Sequence, residues 1–202
     1  MWDLFAKKHK LSDKQKEQFK RFYDLLIDAN EEFNLTAITE PKQVIAHHFE
    51  DSFILSEFVD LTKSRGIADI GTGGGMPGIP LKILYPDLFV VLIEVSHKKR
   101  EYLNLVIQEL GLENIEVSAW DWRNFLRKTE YPIDFFCARA SIKPEELVRM
   151  FRPACFYSNA EIVYWASREW TPIDRVAPFI SGQKEYKIKY RKRTLVFLKK
   201  AL

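Results

Sequence analysis

Apolar positions in the first sixty residues recur at helical spacing. Phe19, Phe22, Tyr23, Leu26 and Ile27 share one side of a 3.6-residue period, which predicts a helix over residues 12–32 with a single buried face. Ser12, with Gln15 three places on, fits a capping box at its start. "FNLTAITEP" breaks the period, and Pro41 suits the first turn of a second helix. The stripe Val44, Ile45, His48, Phe49, Ser52, Phe53, Ser56 carries that helix to about Val59. Residues 1–60 are therefore expected to be a helical segment packed on the remainder, 61–202.

Beyond residue 60 the pattern changes to short apolar, β-branched runs. "GIADI", "LFVVLI", "NIEVSA", "PIDFFCA", "EIVYWA", "YKIKY" and "TLVFL" read as strands. Helical stretches separate the earlier ones at Pro80–Leu84, Lys98–Leu110 and Glu145–Phe151, with Gly111 placed to stop the second. Alternation of this kind predicts parallel strands joined by crossover helices. Only "RKR" separates the last two runs, too little for a crossover, so that pair is expected to be antiparallel. The expected fold is α/β: a seven-stranded, mostly parallel, Rossmann-like sheet with a C-terminal antiparallel strand pair and an N-terminal helical extension. That describes the class I methyltransferase fold better than a plain dinucleotide-binding one.

Composition changes this picture little. Apolar residues make up 47% and charged residues 29%, so a buried core is expected. A net charge of +3 permits a nucleic-acid partner without requiring one. Cys137 and Cys155 lack metal or disulfide spacing and are expected to be buried thiols. No metal is expected. No run approaches the roughly 18 apolar residues of a membrane span, and "MWDLFAKKHK" lacks the pattern of a secretory signal, so the expected compartment is the cytoplasm.

The chemistry concentrates in "IADIGTGGGMPGIPL", residues 67–81. Glycines after the first strand of such a sheet allow positive φ and let a ligand lie directly on the backbone. Gly73, Gly75 and Gly78 match a dinucleotide fingerprint, which keeps an NAD-dependent oxidoreductase in view. Asp69 weighs against it, because a carboxylate there repels a pyrophosphate and attracts the ammonium and sulfonium of S-adenosylmethionine. Asp69, Gly71, Gly73 and Gly75 form the Asp-x-Gly-x-Gly-x-Gly pattern of methyltransferases. Glu94, about 20 residues beyond the loop at the end of "VVLIE", suits ribose hydroxyls of either ligand.

The segments "FNLTAITEP", "HHFEDS", "DIGTGGGMPGIPL", "LIEVSHKKREYL", "LGLENIEV" and "CARA" resemble the bacterial small-subunit ribosomal RNA guanine-N7 methyltransferases, the glucose-inhibited division protein B family, from about residue 20 to about residue 145. The resemblance implies cofactor contacts at Gly71 and Met76, at Glu94, at Trp122 and Arg123 flanking the adenine, and at Arg139 of the "R-A" pair. It also implies small-subunit (16S) ribosomal RNA as the partner. Arg123 stands where the family usually has an acid, with Asp121 nearby as a substitute. "WASREW" replaces the usual Lys-Gly after the fifth strand. These departures keep open a non-catalytic RNA-binding or ribosome-assembly protein of the same fold.

Guanine N7 carries a lone pair and no proton, so the implied reaction needs alignment and exclusion of water and no general base. No residue of the sequence is singled out as catalytic. His48, Asp51 and Ser52 share one helical face and are expected to brace the helical segment against the glycine loop, with Asn34 and Thr36 covering the site. "KKHK" at 7–10, Lys98 to Arg100 and "KIKYRKR" at 187–193 are candidate phosphate contacts. Trp120, Trp122, Trp165 and Trp170 are candidates for stacking on a flipped base or for the core.

Overall fold

The computed structural model describes residues 1–167 and 169–200. Seven strands form one sheet: β1 (Gly66–Ile70), β2 (Phe89–Ile93), β3 (Ile115–Ser118), β4 (Phe135–Arg139), β5 (Glu161–Ala166), β6 (Ile180–Ile188) and β7 (Arg191–Leu198). Their order is β3-β2-β1-β4-β5-β7-β6. β1 to β5 run parallel, and β7 lies antiparallel between β5 and β6. The expected α/β fold is therefore observed, antiparallel pair included. In the "PIDFFCA" run β4 begins at Phe135, because the Ile133 N–H turns back to the Tyr131 carbonyl at 2.9 Å and Asp134 makes the first bonds to the neighbouring strands. β6 begins well before "YKIKY", and Arg191–Arg193 lie within β7, leaving a turn of only Lys189 and Tyr190.

Each face of the sheet has its own core. Ile67, Val90, Leu92 and Cys137 pack on the helices of the first sixty residues and on Gly78–Leu84 and His97–Glu109. Ala68, Ile70, Val91 and Phe136 pack on Trp122, Phe125 and Leu147. The helix Asp13–Phe33 starts in the expected capping box, with Ser12 and Gln15 bonded in both directions. Gln15 also donates to the carbonyls of Ile83 and Leu84, so the cap anchors the helix to the layer on the sheet. Leu25 is buried where Ile27 was expected, because the core-facing stripe drifts by part of a turn. Two short helices, Trp2–His9 and Trp122–Lys128, carry too few turns for a periodicity to register.

Residues 41–57 depart most from expectation. In place of one regular helix, an α turn at Pro41–Val44 gives way to a π turn at Ile45–Glu50, then Asp51–Phe53 and a 3₁₀ turn at Ile54–Glu57. His47, His48, Asp51 and Ser52 are all buried there. The widened π turn accompanies their polar contacts, a common setting for such insertions. Cys137 is buried and free, whereas Cys155 is only half-buried.

Candidate functional site

The strand order reverses between β1 and β4, and the crevice beyond their carboxyl ends is where sheets of this kind take ligands. The chain leaves β1 through Gly71, whose N–H donates to the Ile93 carbonyl at 2.9 Å. Gly71, Gly73 and Gly75 have φ of 62°, 57° and 92°, values that side chains other than glycine adopt at a cost. A β-carbon on Gly71 would meet Ser141, and one on Gly75 would meet Ile79. At Gly73 nothing lies closer than the Gly71 carbonyl at 4.0 Å. Gly73 thus offers bare backbone beside open space.

Two carboxylates hold the loop. Glu94, following β2, accepts from the Gly73 N–H at 3.1 Å and from the Ser96 N–H at 2.9 Å. Asp69 is wholly buried beneath the loop, 0% exposed. Its Oδ2 accepts from the Thr72 hydroxyl at 2.6 Å and the Gly78 N–H at 2.8 Å. Where the sequence pattern places Asp69 against the ligand, its side chain clamps both ends of the loop from below. Its Oδ1 has no hydrogen-bond partner among the described residues. Burial raises the Asp69 carboxyl from 3.8 to about 6 despite its two donors. An orphaned buried carboxylate oxygen under an open backbone cradle fits a cationic ligand.

Between pH 5 and 7 Asp69 passes from mostly protonated to mostly ionised, and a positive charge above it favours the ionised form. S-adenosylmethionine, with its sulfonium, should therefore gain affinity relative to neutral-sulfur S-adenosylhomocysteine as pH rises across that window. Calorimetric titrations at pH 5 and pH 7 check this, and Asp69→Asn should flatten the difference.

Met76 is buried, with its methyl group beside Gly74, and Leu26 and Leu35 close over the same glycine. Leu35 belongs to "NLTAI", so that segment does cover the loop. Thr36 turns away from it to His48. Trp122 and Arg123 are placed differently from the flanking role implied by the resemblance. The Trp122 ring is 4% exposed, packs edge-on against Phe136 and donates its Nε1–H to the Glu146 carbonyl. Arg123 pairs with Glu146 at 2.9 Å. Asp121 caps the helix by accepting from the Asn124 N–H. Exposed Trp120, with Lys128 4.1 Å above its ring, is the tryptophan that faces solvent just after β3; sequence spacing alone does not separate it from Trp122.

Arg139, at the end of β4, meets a buried polar hub. Its Nη1 donates to Asp51 Oδ2 at 3.1 Å, where Arg193 of β7 also donates at 3.0 Å. Tyr186 of β6 donates to Asp51 Oδ1 at 2.8 Å, and Trp165 of β5 to the Asp51 carbonyl. Arg139 Nη2 faces His48 Nδ1 at 3.2 Å. A guanidinium only donates, so Nδ1 accepts and Nε2–H donates to Thr36 Oγ1, 2.8 Å away. Burial and the Arg139 charge lower His48 to about 3, which keeps it neutral. Its contribution to stability is complete above pH 6.5 and is lost as pH falls towards 3. His48 and Asp51 thus brace the helical segment against β4 and the C-terminal hairpin, not against the glycine loop as expected, while Ser52 donates to the His48 carbonyl within its own segment. The hairpin partners lie some 140 residues away, beyond the reach of a local pattern.

Among the described residues there is no cluster of three or more His, Cys, Asp or Glu suited to a metal. Among the described residues no helix is long and apolar enough to cross a membrane. Of "WASREW", Arg168 lies outside the described residues. A hollow of about 630 Å³ lined by Arg123, Arg127, Arg152 and Phe156 includes no residue of the glycine loop.

A family model described as rRNA small subunit methyltransferase G (GidB) matches residues 15–168. A Ribosomal RNA small subunit methyltransferase G of Lachnoclostridium phytofermentans is 35% identical over 201 residues, covering 94% of this chain and 83% of that protein. Proteins of the same name from Staphylococcus saprophyticus and Lactococcus lactis are 45% and 42% identical, over 52% and 65% of this chain. In those two the match spans about half of the relative, 44% and 56% of its length. Among solved structures, a mutant of MtNAS in complex with S-adenosylmethionine superposes with a TM-score of 0.55 at 18% identity, covering 92% of this chain and 76% of that one. An S-adenosylmethionine-dependent methyltransferase from Aquifex aeolicus gives 0.52 at 18%, covering 79% and 94%. At such identities the likeness bears on the fold.

Proposed function

The chain belongs to the rRNA small subunit methyltransferase G family, and from that premise we propose that it transfers a methyl group from S-adenosylmethionine to N7 of a guanine in small-subunit ribosomal RNA. The observation that carries the reading is the open side of Gly73 between Glu94 and buried Asp69. S-adenosylmethionine supplies a methyl group on a sulfonium, ready for in-line attack. Gly71, Gly73 and Gly75 provide the backbone cradle and Glu94 an acceptor for ribose hydroxyls. Met76 and Leu35 exclude water from the loop's far side. Of the adenine-flanking pair, Trp122 contributes by supporting the loop after β3 from the core. Arg123 has its side chain committed to Glu146, so its contact with the ligand is through the backbone. Arg139 is held by Asp51 and His48 beside the crevice.

N7 offers a lone pair and no proton, so the chain has no proton to remove. His48 fits that chemistry as a neutral spacer. The insertion of antiparallel β7 between β5 and β6 departs from the all-parallel order of dinucleotide-binding sheets, which weighs against an NAD-dependent oxidoreductase. The division into a helical segment, 1–60, and a ligand-binding layer, 61–202, and action in the cytoplasm on naked or assembled ribosomal RNA, belong to the same reading.

The test is transfer of labelled methyl from S-adenosylmethionine to unmodified small-subunit RNA, followed by digestion to nucleosides. Label is expected in 7-methylguanosine alone. Label in another nucleoside would contradict the target atom. RNA binding without transfer would favour the non-catalytic alternative.

A further inference from the structure

A cavity of about 500 Å³ opens at the carboxyl ends of β4 and β5, bounded by Arg139, Tyr164, Trp165, Tyr190, Arg191 and Lys192. It shares a wall with the crevice. Arg139 and Ala140 line the cavity, and the next residue, Ser141, has its β-carbon 2.6 Å from where a β-carbon on Gly71 would lie. Its floor is cationic and fixed. Arg139 and Arg193 share the single carboxylate of Asp51, so positive charge remains uncompensated there. Arg191 and Lys192 at the rim add two more charges.

The rim also carries an aromatic ring that packing does not explain. Tyr190 is 70% exposed, at the two-residue turn between β6 and β7. The turn is held in place rather than loose. Lys189, at φ 52°, donates to the Lys42 carbonyl, the Tyr190 ring meets His47 edge-on at 6.1 Å, and the Arg191 guanidinium lies 5.9 Å from the same ring. An exposed ring among cations, at the mouth of a cavity wide enough for one base, is the arrangement that takes single-stranded nucleic acid by stacking and phosphate contact.

We propose that the β6–β7 turn is the RNA-engaging element of this protein: Tyr190 stacks on an unpaired base of the substrate strand at the cavity mouth, and Arg191 and Lys192 take the adjacent phosphates. This rests on the methyltransferase reading only in the choice of RNA; the crevice for the methyl donor is separate from the turn.

The experiment measures binding of an unmodified small-subunit rRNA transcript by filter retention across a series of KCl concentrations, with calorimetric affinity for S-adenosylhomocysteine measured on each variant. Tyr190→Ala should weaken RNA binding by about tenfold, whereas Tyr190→Phe should match the parent protein. The double variant Arg191→Ala, Lys192→Ala should lower the slope of log affinity against log salt by about 1.4, roughly 0.7 for each phosphate contact. S-adenosylhomocysteine affinity should be the same throughout, which also shows that each variant folds. The proposal is overturned by an unchanged RNA affinity in Tyr190→Ala, by an equal loss in Tyr190→Phe, or by an unaltered salt slope. If no variant, nor the parent, binds S-adenosylhomocysteine while the RNA effects appear, the methyl-transfer reading fails and the turn's role stands.

Discussion

Gly73→Val is expected to weaken S-adenosylhomocysteine binding by at least about 100-fold, some 2.7 kcal/mol. Gly73 sits at φ 57° with open space where a β-carbon would project, so the new side chain fills the crevice instead of clashing with the protein. The backbone strain is a separate cost, of the order of 1–2 kcal/mol for a left-handed residue that is not glycine. Gly111 isolates it. It has the same φ of 57°, nothing within 4 Å of its would-be β-carbon, and a place just past the end of the helix His97–Glu109. Gly111→Val should lower the melting temperature by a similar amount and leave ligand affinity alone. Equal affinity in Gly73→Val and the parent protein would remove the loop from the binding site.

The second large effect concerns folding. Asp51 is 1% exposed and is the carboxylate shared by Arg139 and Arg193, with Tyr186 on its other oxygen. Asp51→Ala leaves two guanidinium groups facing each other without a counter-charge, a situation that costs about 3–5 kcal/mol. In a chain of this size that corresponds to a melting temperature lower on the order of 10 °C. Glu17, whose pair with Lys20 is on the surface, provides the contrast; Glu17→Ala should change stability by less than about 1 kcal/mol. Thermal unfolding of the two variants side by side decides the matter. A loss in Asp51→Ala no larger than in Glu17→Ala would show that the hub holds nothing together.

These two residues differ in how far the sequence discloses them. The glycine loop is legible because its chemistry is local: Asp69, the glycines and Glu94 lie within 26 residues. The capping box at Ser12 and the bounds of β5 are legible for the same reason. Asp51 is visible as a buried-face residue, but its partners come from β4, β6 and β7, and no spacing rule reaches that far. The buried run 44–49 hides its π turn, since a turn buried on every side has no polar face to mark a change of period. Trp120 and Trp122 are two residues apart and have opposite fates, one exposed and one in the core. Their assignment depends on where the helix Trp122–Lys128 begins, and seven residues carry too little pattern to say.

A glycine-lined cradle, opened at Gly73 and flanked by two carboxylates, is proposed to receive a phosphate-free, positively charged nucleoside. Parallel calorimetric titrations of the unmodified protein with S-adenosylmethionine and with NADH at pH 7 test that most directly. Saturable binding of S-adenosylmethionine at one site, with none of NADH, is the predicted result. Tighter binding of NADH would contradict it, because the Asp69 carboxylate beneath the loop should reject a pyrophosphate.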